Sequence, residues 1–122
     1  MSVDYSVRLI YGFELNQDKF QDFIDKKKEE NPDFDVYSWM EEIEEQSNCE
    51  LVYENHYNDI TSDYNTVYFG ITVYNHITAE TLTEIEYCRR EEVCDELIRI
   101  FGSGNILQGY MVPELIAIGV VY

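Results

Sequence analysis

Positive charge is what this sequence has least of. Its 122 residues include 8 Lys and Arg against 25 Asp and Glu, a formal net charge of −17, and no Lys or Arg falls between positions 29 and 88. That sixty-residue window carries fifteen carboxylates, whereas residues 1–28 balance five acids against five bases. A phosphate backbone must be neutralised by cationic side chains, and an anionic lipid surface attracts the same groups. Direct nucleic-acid binding and membrane-surface binding are therefore both disfavoured. The one basic cluster, Lys26-Lys27-Lys28, is followed at once by Glu29 and Glu30.

Other scarcities exclude other chemistries. The three cysteines, Cys49, Cys88 and Cys94, are an odd number with no close paired spacing. At least one thiol must stay free or pair with another chain, which fits a reducing compartment better than secretion. Cys88 and Cys94 lie on different sides of one helix and neither has an identifiable base partner, so core cysteines are expected, not a nucleophile. The two histidines, His56 and His76, could share a metal with Asp59 or Asp63 if their strands paired. The run 55–65 has no ligand spacing, however, and the expectation is turn or surface histidines with no metal. Gly102, Gly104 and Gly109 follow a helix instead of preceding one, so no phosphate-cradling loop exists. Asp33-Phe34-Asp35 opens like a calcium loop but lacks the central glycine. No cofactor is expected. The longest apolar run, Leu115 to Tyr122, is too short to span a bilayer. Met1-Ser2-Val3-Asp4-Tyr5 has neither a basic n-region nor an apolar h-region, and a cytoplasmic protein is expected.

What the chain does have is folding material: 45% hydrophobic residues, 15% aromatics and eleven tyrosines. Residues 3–13 alternate as a strand with one buried face. Asn16 can cap a short helix carrying Phe20, Phe23 and Ile24 at i, i+3 and i+4, and Pro32 forces its end. A second short helix starting near Asp35 has the apolar stripe Val36, Trp39, Met40 and Ile43. Strands at 49–57 and 66–74 read as an antiparallel hairpin. A long helix is placed at about 79–101, with a solvent-side Asp95–Arg99 pair and Gly102-Ser103-Gly104 as its stop. A last strand, Leu115–Tyr122, is apolar on both faces. The order β-α-α-β-β-α-β predicts an α+β fold of the ferredoxin-like split βαβ kind, an antiparallel sheet with helices on one face. It reads as a single domain over residues 1–122, with a short inserted acidic helix at about 35–46.

The functional expectation follows from the charge. On a helix, residues three and four apart are neighbours at about 5–6 Å, so Glu41, Glu44 and Glu45 form an anionic ridge, extended by Glu29, Glu30, Asp33 and Asp35. Glu42 is expected to join them in binding the partner. DNA presents phosphates at comparable density. Tyrosines among the acids, Tyr37 and Tyr53 foremost, would add apolar anchors. The absence of Lys and Arg removes the alternating-sign pattern of an ordinary salt-bridged surface. The expected function is a non-enzymatic acidic inhibitor or adaptor that binds a basic protein, such as a nuclease or a DNA-binding protein, in the manner of a DNA mimic. In charge and size the chain resembles small acidic proteins of phages and mobile elements, including anti-restriction and anti-CRISPR proteins. That resemblance implies an anti-defence role in a host cytoplasm and carries over no residues. The alternative is a ferredoxin-like homodimer that binds a ligand or protein through its sheet. An enzyme with an unrecognised carboxylate site is a third class.

Overall fold

The computed structural model describes the backbone of residues 5–54, 66–73 and 79–121 and the side chains of 9–53, 66–73 and 89–118. His56, His76, Asp59 and Asp63 lie outside the described residues, as does the side chain of Cys88.

Alternation in β1 (Tyr5–Glu14) sends Tyr11 and Phe13 into one buried cluster and Ile10 into another on the opposite side of the sheet. Asn16 then caps α1 (Gln17–Glu30), its side-chain oxygen accepting the Lys19 N–H at 3.1 Å. Phe20 and Ile24 of α1 are buried, and Lys27 and Lys28 occupy its last turn, where cations complement the helix dipole. Beyond Pro32, Asp35 caps α2 (Val36–Gln46) by accepting the Tyr37 N–H at 3.2 Å. The chain continues through β2 (Glu50–Glu54), β3 (Thr66–Val73), α3 (Ala79–Phe101), a 3-10 turn at Gly104–Ile106 and β4 (Glu114–Val121). Gly102 ends α3 by adopting φ +83° and donating its N–H to the Ile98 carbonyl at 2.8 Å.

Among the described residues, four strands form one antiparallel sheet in the order β2-β3-β1-β4. Phe13 pairs with Phe69 of β3, Ile10 with Ile116 of β4, and Leu51 of β2 with Phe69. With three helices beside it among the described residues, the fold is α+β. The larger core joins Tyr11, Phe13, Leu51, Val67 and Phe69 from the sheet to Phe20, Ile24, Val36, Ile43, Val93 and Leu97 from all three helices. The 3-10 turn closes its end: Leu15 bridges Leu107, and the Gln108 N–H donates to the Glu14 carbonyl at 3.0 Å.

The opposite face holds a second, smaller cluster of Ile10, Val52 and Ile118, with Tyr68 and Ile116 packed against it. This cluster accounts for the apolar character of β4 on both sides. In a flat sheet the outer strands of four would stand about 14 Å apart. Here Cα atoms of β2 and β4 come within 8 Å of each other, so the sheet curls strongly toward the side away from the helices. Val52 from one edge and Ile118 from the other thus meet Ile10 of a central strand, leaving the three only 5%, 1% and 0% exposed. Gly12 and Gly70 face each other across β1 and β3 on the inside of that curl. A Cβ on Gly12 would press into the Phe69 carbonyl and lie 2.6 Å from the Gly70 Cα, and one on Gly70 would lie 2.8 Å from the Gly12 Cα. Paired glycines are what allow the two central backbones to close up and bend.

Cys49, 1% exposed at the start of β2, belongs to the main core. Burial pushes its thiol up to about 12, and the nearby carboxylates of Glu96 and Glu92 push in the same direction. Cys94 is half-buried, and burial raises it too. Between pH 9 and about 12 the unfolded chain surrenders the Cys49 proton while the folded chain keeps it, so stability falls as pH rises through that window. The slope from this thiol is about 1.4 kcal/mol per pH unit. Urea titrations at pH 8, 9 and 10 should show the wild-type losing stability across the upper interval more steeply than Cys49→Ala. Alkylation at pH 8 should reach Cys49 only once denaturant is added.

Candidate functional site

On α2, successive residues turn by about 100°, so four apolar positions one or two turns apart share a face. Val36 and Ile43 are buried there and Trp39 and Met40 half-buried, which leaves Tyr37, Glu41, Glu42, Glu44 and Glu45 all exposed. Tyr37, Glu41, Glu44 and Glu45 fall within one outward stripe, and Glu42 is turned toward its side. Tyr37 is 46% exposed. The carboxylate of Asp35 serves the helix start, accepting the Ser38 hydroxyl at 3.0 Å besides the Tyr37 amide. Asp33 is exposed in the turn between α1 and α2, where its N–H donates to the Asn31 side-chain oxygen at 3.1 Å. Tyr53 stands elsewhere. It lies on the helix-facing side of β2, half-buried against the main core, so it does not join the α2 stripe.

Two further carboxylates approach the C-terminal end of α2 from α3. Glu92 and Glu96 line a cleft of about 290 Å³ together with Glu45, Gln46, Ser47 and Asn48. Asn48 ties the two helices, its side-chain amide donating to Glu92 Oε1 at 2.8 Å. On the other side of the same turn, Glu44, Cys49, Glu50 and Thr72 line a smaller cleft of about 100 Å³ with Ser47 and Asn48, and the Thr72 hydroxyl bonds the Glu50 carboxylate. Glu92 and Glu96 are not bare charges. Arg89 Nε reaches Glu92 Oε2 at 2.6 Å, and that bond, with the Asn48 amide, holds the Glu92 carboxyl below the usual carboxylate range. Arg99 pairs with Glu96 at 2.6 Å, three residues back, instead of with Asp95 four back. The spacing on α3 suggested neither the contact with α2 nor the role of Glu92 and Glu96, because nothing periodic in a sequence relates two helices across a turn.

α2 carries four acids of its own, Glu41, Glu42, Glu44 and Glu45. That helix has no basic residue, and Glu44 and Glu45 sit in its last turn, at the negative end of the dipole. Glu41 and Glu45 are a like-charge i,i+4 pair, which also opposes helix formation. Arg89 and Arg99 each offset one acid of α3, while α2 has no base of its own and gives up stability locally. Ser47 terminates the helix by donating its hydroxyl to the Ile43 carbonyl at 2.9 Å and accepting the Cys49 N–H at 3.1 Å. The ridge is thus held in place by its cap and by the buried face of α2.

Among the described residues, no group of three or more His, Cys, Asp or Glu is arranged to hold a metal ion, and no helix is long and apolar enough to cross a membrane. Comparison of the chain with protein-family models, with curated proteins and with solved structures found no match.

Proposed function

We propose that this chain is a non-enzymatic inhibitor or adaptor that places the acidic face of α2 in the nucleic-acid groove of a basic protein. The carrying observation is that α2 exposes Glu41, Glu42, Glu44 and Glu45 with no base on the helix and with two of the four set against its own dipole. Residues 41–45 rise about 6 Å, one carboxylate per ~1.5 Å, against one phosphate charge per ~1.7 Å of duplex. Tyr37 lies beside the acids as an exposed aromatic. A merely solvated face would gain by an i,i+4 lysine, and none is present. Free thiols at Cys49 and Cys94 favour a cytoplasmic setting, of a host cell if the role is anti-defence. Displacement of labelled duplex from a panel of basic nucleases and repressors tests the proposal: displacement that weakens as salt rises supports it, and salt-independent binding argues against it.

For the scaffold we read a ferredoxin-like split βαβ with α2 as an insertion. The order β2-β3-β1-β4 supports it, since β3 separates β1 from β2 and β1 separates β3 from β4, all neighbours antiparallel.

One observation favours a second reading, a homodimer or ligand-binding module that uses the sheet. A groove of about 510 Å³ runs between the end of β1 and the start of β4, lined by Gly12, Glu14, Tyr110, Val112, Glu114 and Ile116 among others. Tyr110 is 92% exposed at its margin and Val112 50%. Sedimentation equilibrium at micromolar concentration discriminates: a dimer lost on Tyr110→Ser favours this reading, a monomer the first.

A further inference from the structure

Lys27 of α1 is held by aromatic rings. Its Nζ lies 5.1 Å from the centroid of Phe23, 5.8 Å from Trp39 and 6.0 Å from Phe34. The rings touch one another, with centroids 5.7 Å apart for Phe23–Trp39 and 5.9 Å for Phe34–Trp39. They therefore make a continuous floor with the ammonium above the place where they meet. Phe101 backs that floor, 5.0 Å from Phe23 and 6.1 Å from Trp39, and itself rests on Phe69 of the sheet at 5.8 Å.

We propose that the Phe23, Phe34 and Trp39 floor is a binding site for an organic ammonium group, of the methylated-lysine or choline class, and that Lys27 is its built-in competitor. This goes beyond the acidic-ridge reading and does not depend on it. Three features carry the assignment. First, the fit to Lys27 is loose. The distances of 5.1–6.0 Å reach the outer limit of ammonium–ring attraction, about 6 Å. Methyl groups on the nitrogen would fill the gap between charge and rings. Second, a primary ammonium is strongly hydrated, whereas a quaternary one loses little hydration on aromatic faces. Among the described residues no carboxylate lies within 4.0 Å of the Lys27 nitrogen to strengthen its hold, although the chain has 25 acids. Third, the floor is reachable. Lys27, Phe23, Phe34 and Trp39 are each half-buried, and the exposed Asp33 and Asp35 bracket Phe34 and lend the site negative potential. The four-carbon stem of Lys27, near the end of α1, can swing aside without disturbing the backbone.

Trp39 is the only tryptophan, so its fluorescence reports on the floor directly. Tetramethylammonium chloride, choline and a trimethyllysine peptide should each give a saturable change in Trp39 emission, with ammonium chloride at equal ionic strength as the control. Lys27→Gln should tighten tetramethylammonium binding about threefold or more by removing the competitor. Adding Phe34→Ala to that variant should abolish saturation. Choline and the peptide separate a free amine from a modified side chain, and saturable binding of either supports the site. Saturation in none of the three by wild-type or Lys27→Gln, both checked as folded by circular dichroism, overturns it. An equal response to ammonium chloride, or binding that survives Phe34→Ala, overturns it too. The indole N–H resonance of Trp39 in wild-type protein is a second readout that needs no substitution.

Discussion

Gly12→Val should lower the melting temperature by roughly 10 °C or more, a loss of about 3 kcal/mol, in a chain of this size. The atoms in the way are backbone. A side chain at position 12 drives into the Phe69 carbonyl and the Gly70 Cα, and neither can retreat without opening the β1–β3 ladder. Opening that ladder also flattens the curl that brings β2 to β4, so the Ile10, Val52 and Ile118 cluster is exposed in the same step. Gly70→Ala should act in the same direction for the same reason. Gly109→Ala is the control, because a Cβ there meets nothing within 4 Å, and its melting temperature should stay within about 2 °C of wild-type. Wild-type stability in Gly12→Val, read by thermal circular dichroism, would mean that the central strands are not paired in this register.

The second large effect separates stability from binding. Changing Glu41, Glu42, Glu44 and Glu45 together to Gln removes like-charge repulsion along α2 and two acids from the wrong end of its dipole. Each dipole contact at that end is worth about 0.3–1 kcal/mol, so the variant should melt a few degrees higher than wild-type. Affinity for the basic partner should fall on the order of 100-fold at low salt, four charge contacts at roughly 0.7 kcal/mol each. The salt dependence of binding should flatten with it. Neutralising the exposed Asp18, Asp22 and Asp25 of α1 removes three charges from another helix and should change affinity less than about twofold. Acids that confer only solubility would give equal, small effects at both places.

Which parts of this were legible in the sequence follows from which interactions are local. The period-2 alternation in β1, the Asn16 and Asp35 caps, the stop at Gly102 and the apolar stripe of α2 are properties of neighbouring residues, and elements formed where they pointed. β4 was legible as a strand but not in its surroundings, because a strand cannot announce that its sheet will curl. The opposition of Gly12 and Gly70 needs the register of two strands more than fifty residues apart. The exposed acids of α2 could be read from helix geometry alone. The approach of Glu92 and Glu96 could not, nor the inward side of Tyr53, which depends on which face of β2 the helices cover. Phe23 and Trp39 read separately as apolar-stripe positions of two helices, and Phe34 only as the middle of the Asp33-Phe34-Asp35 run. Only their packing makes a floor under Lys27.

Competition with DNA tests the central claim most directly. A labelled duplex bound to each of a panel of basic DNA-binding proteins is titrated with wild-type chain and with the α2 Glu→Gln quadruple variant, at low salt and at about 0.5 M. The predicted result is that wild-type releases the duplex from at least one of these proteins at low salt and loses that ability at high salt, while the folded quadruple variant releases none. Failure of the wild-type to displace DNA from any of them, or equal displacement by the quadruple variant, would contradict it.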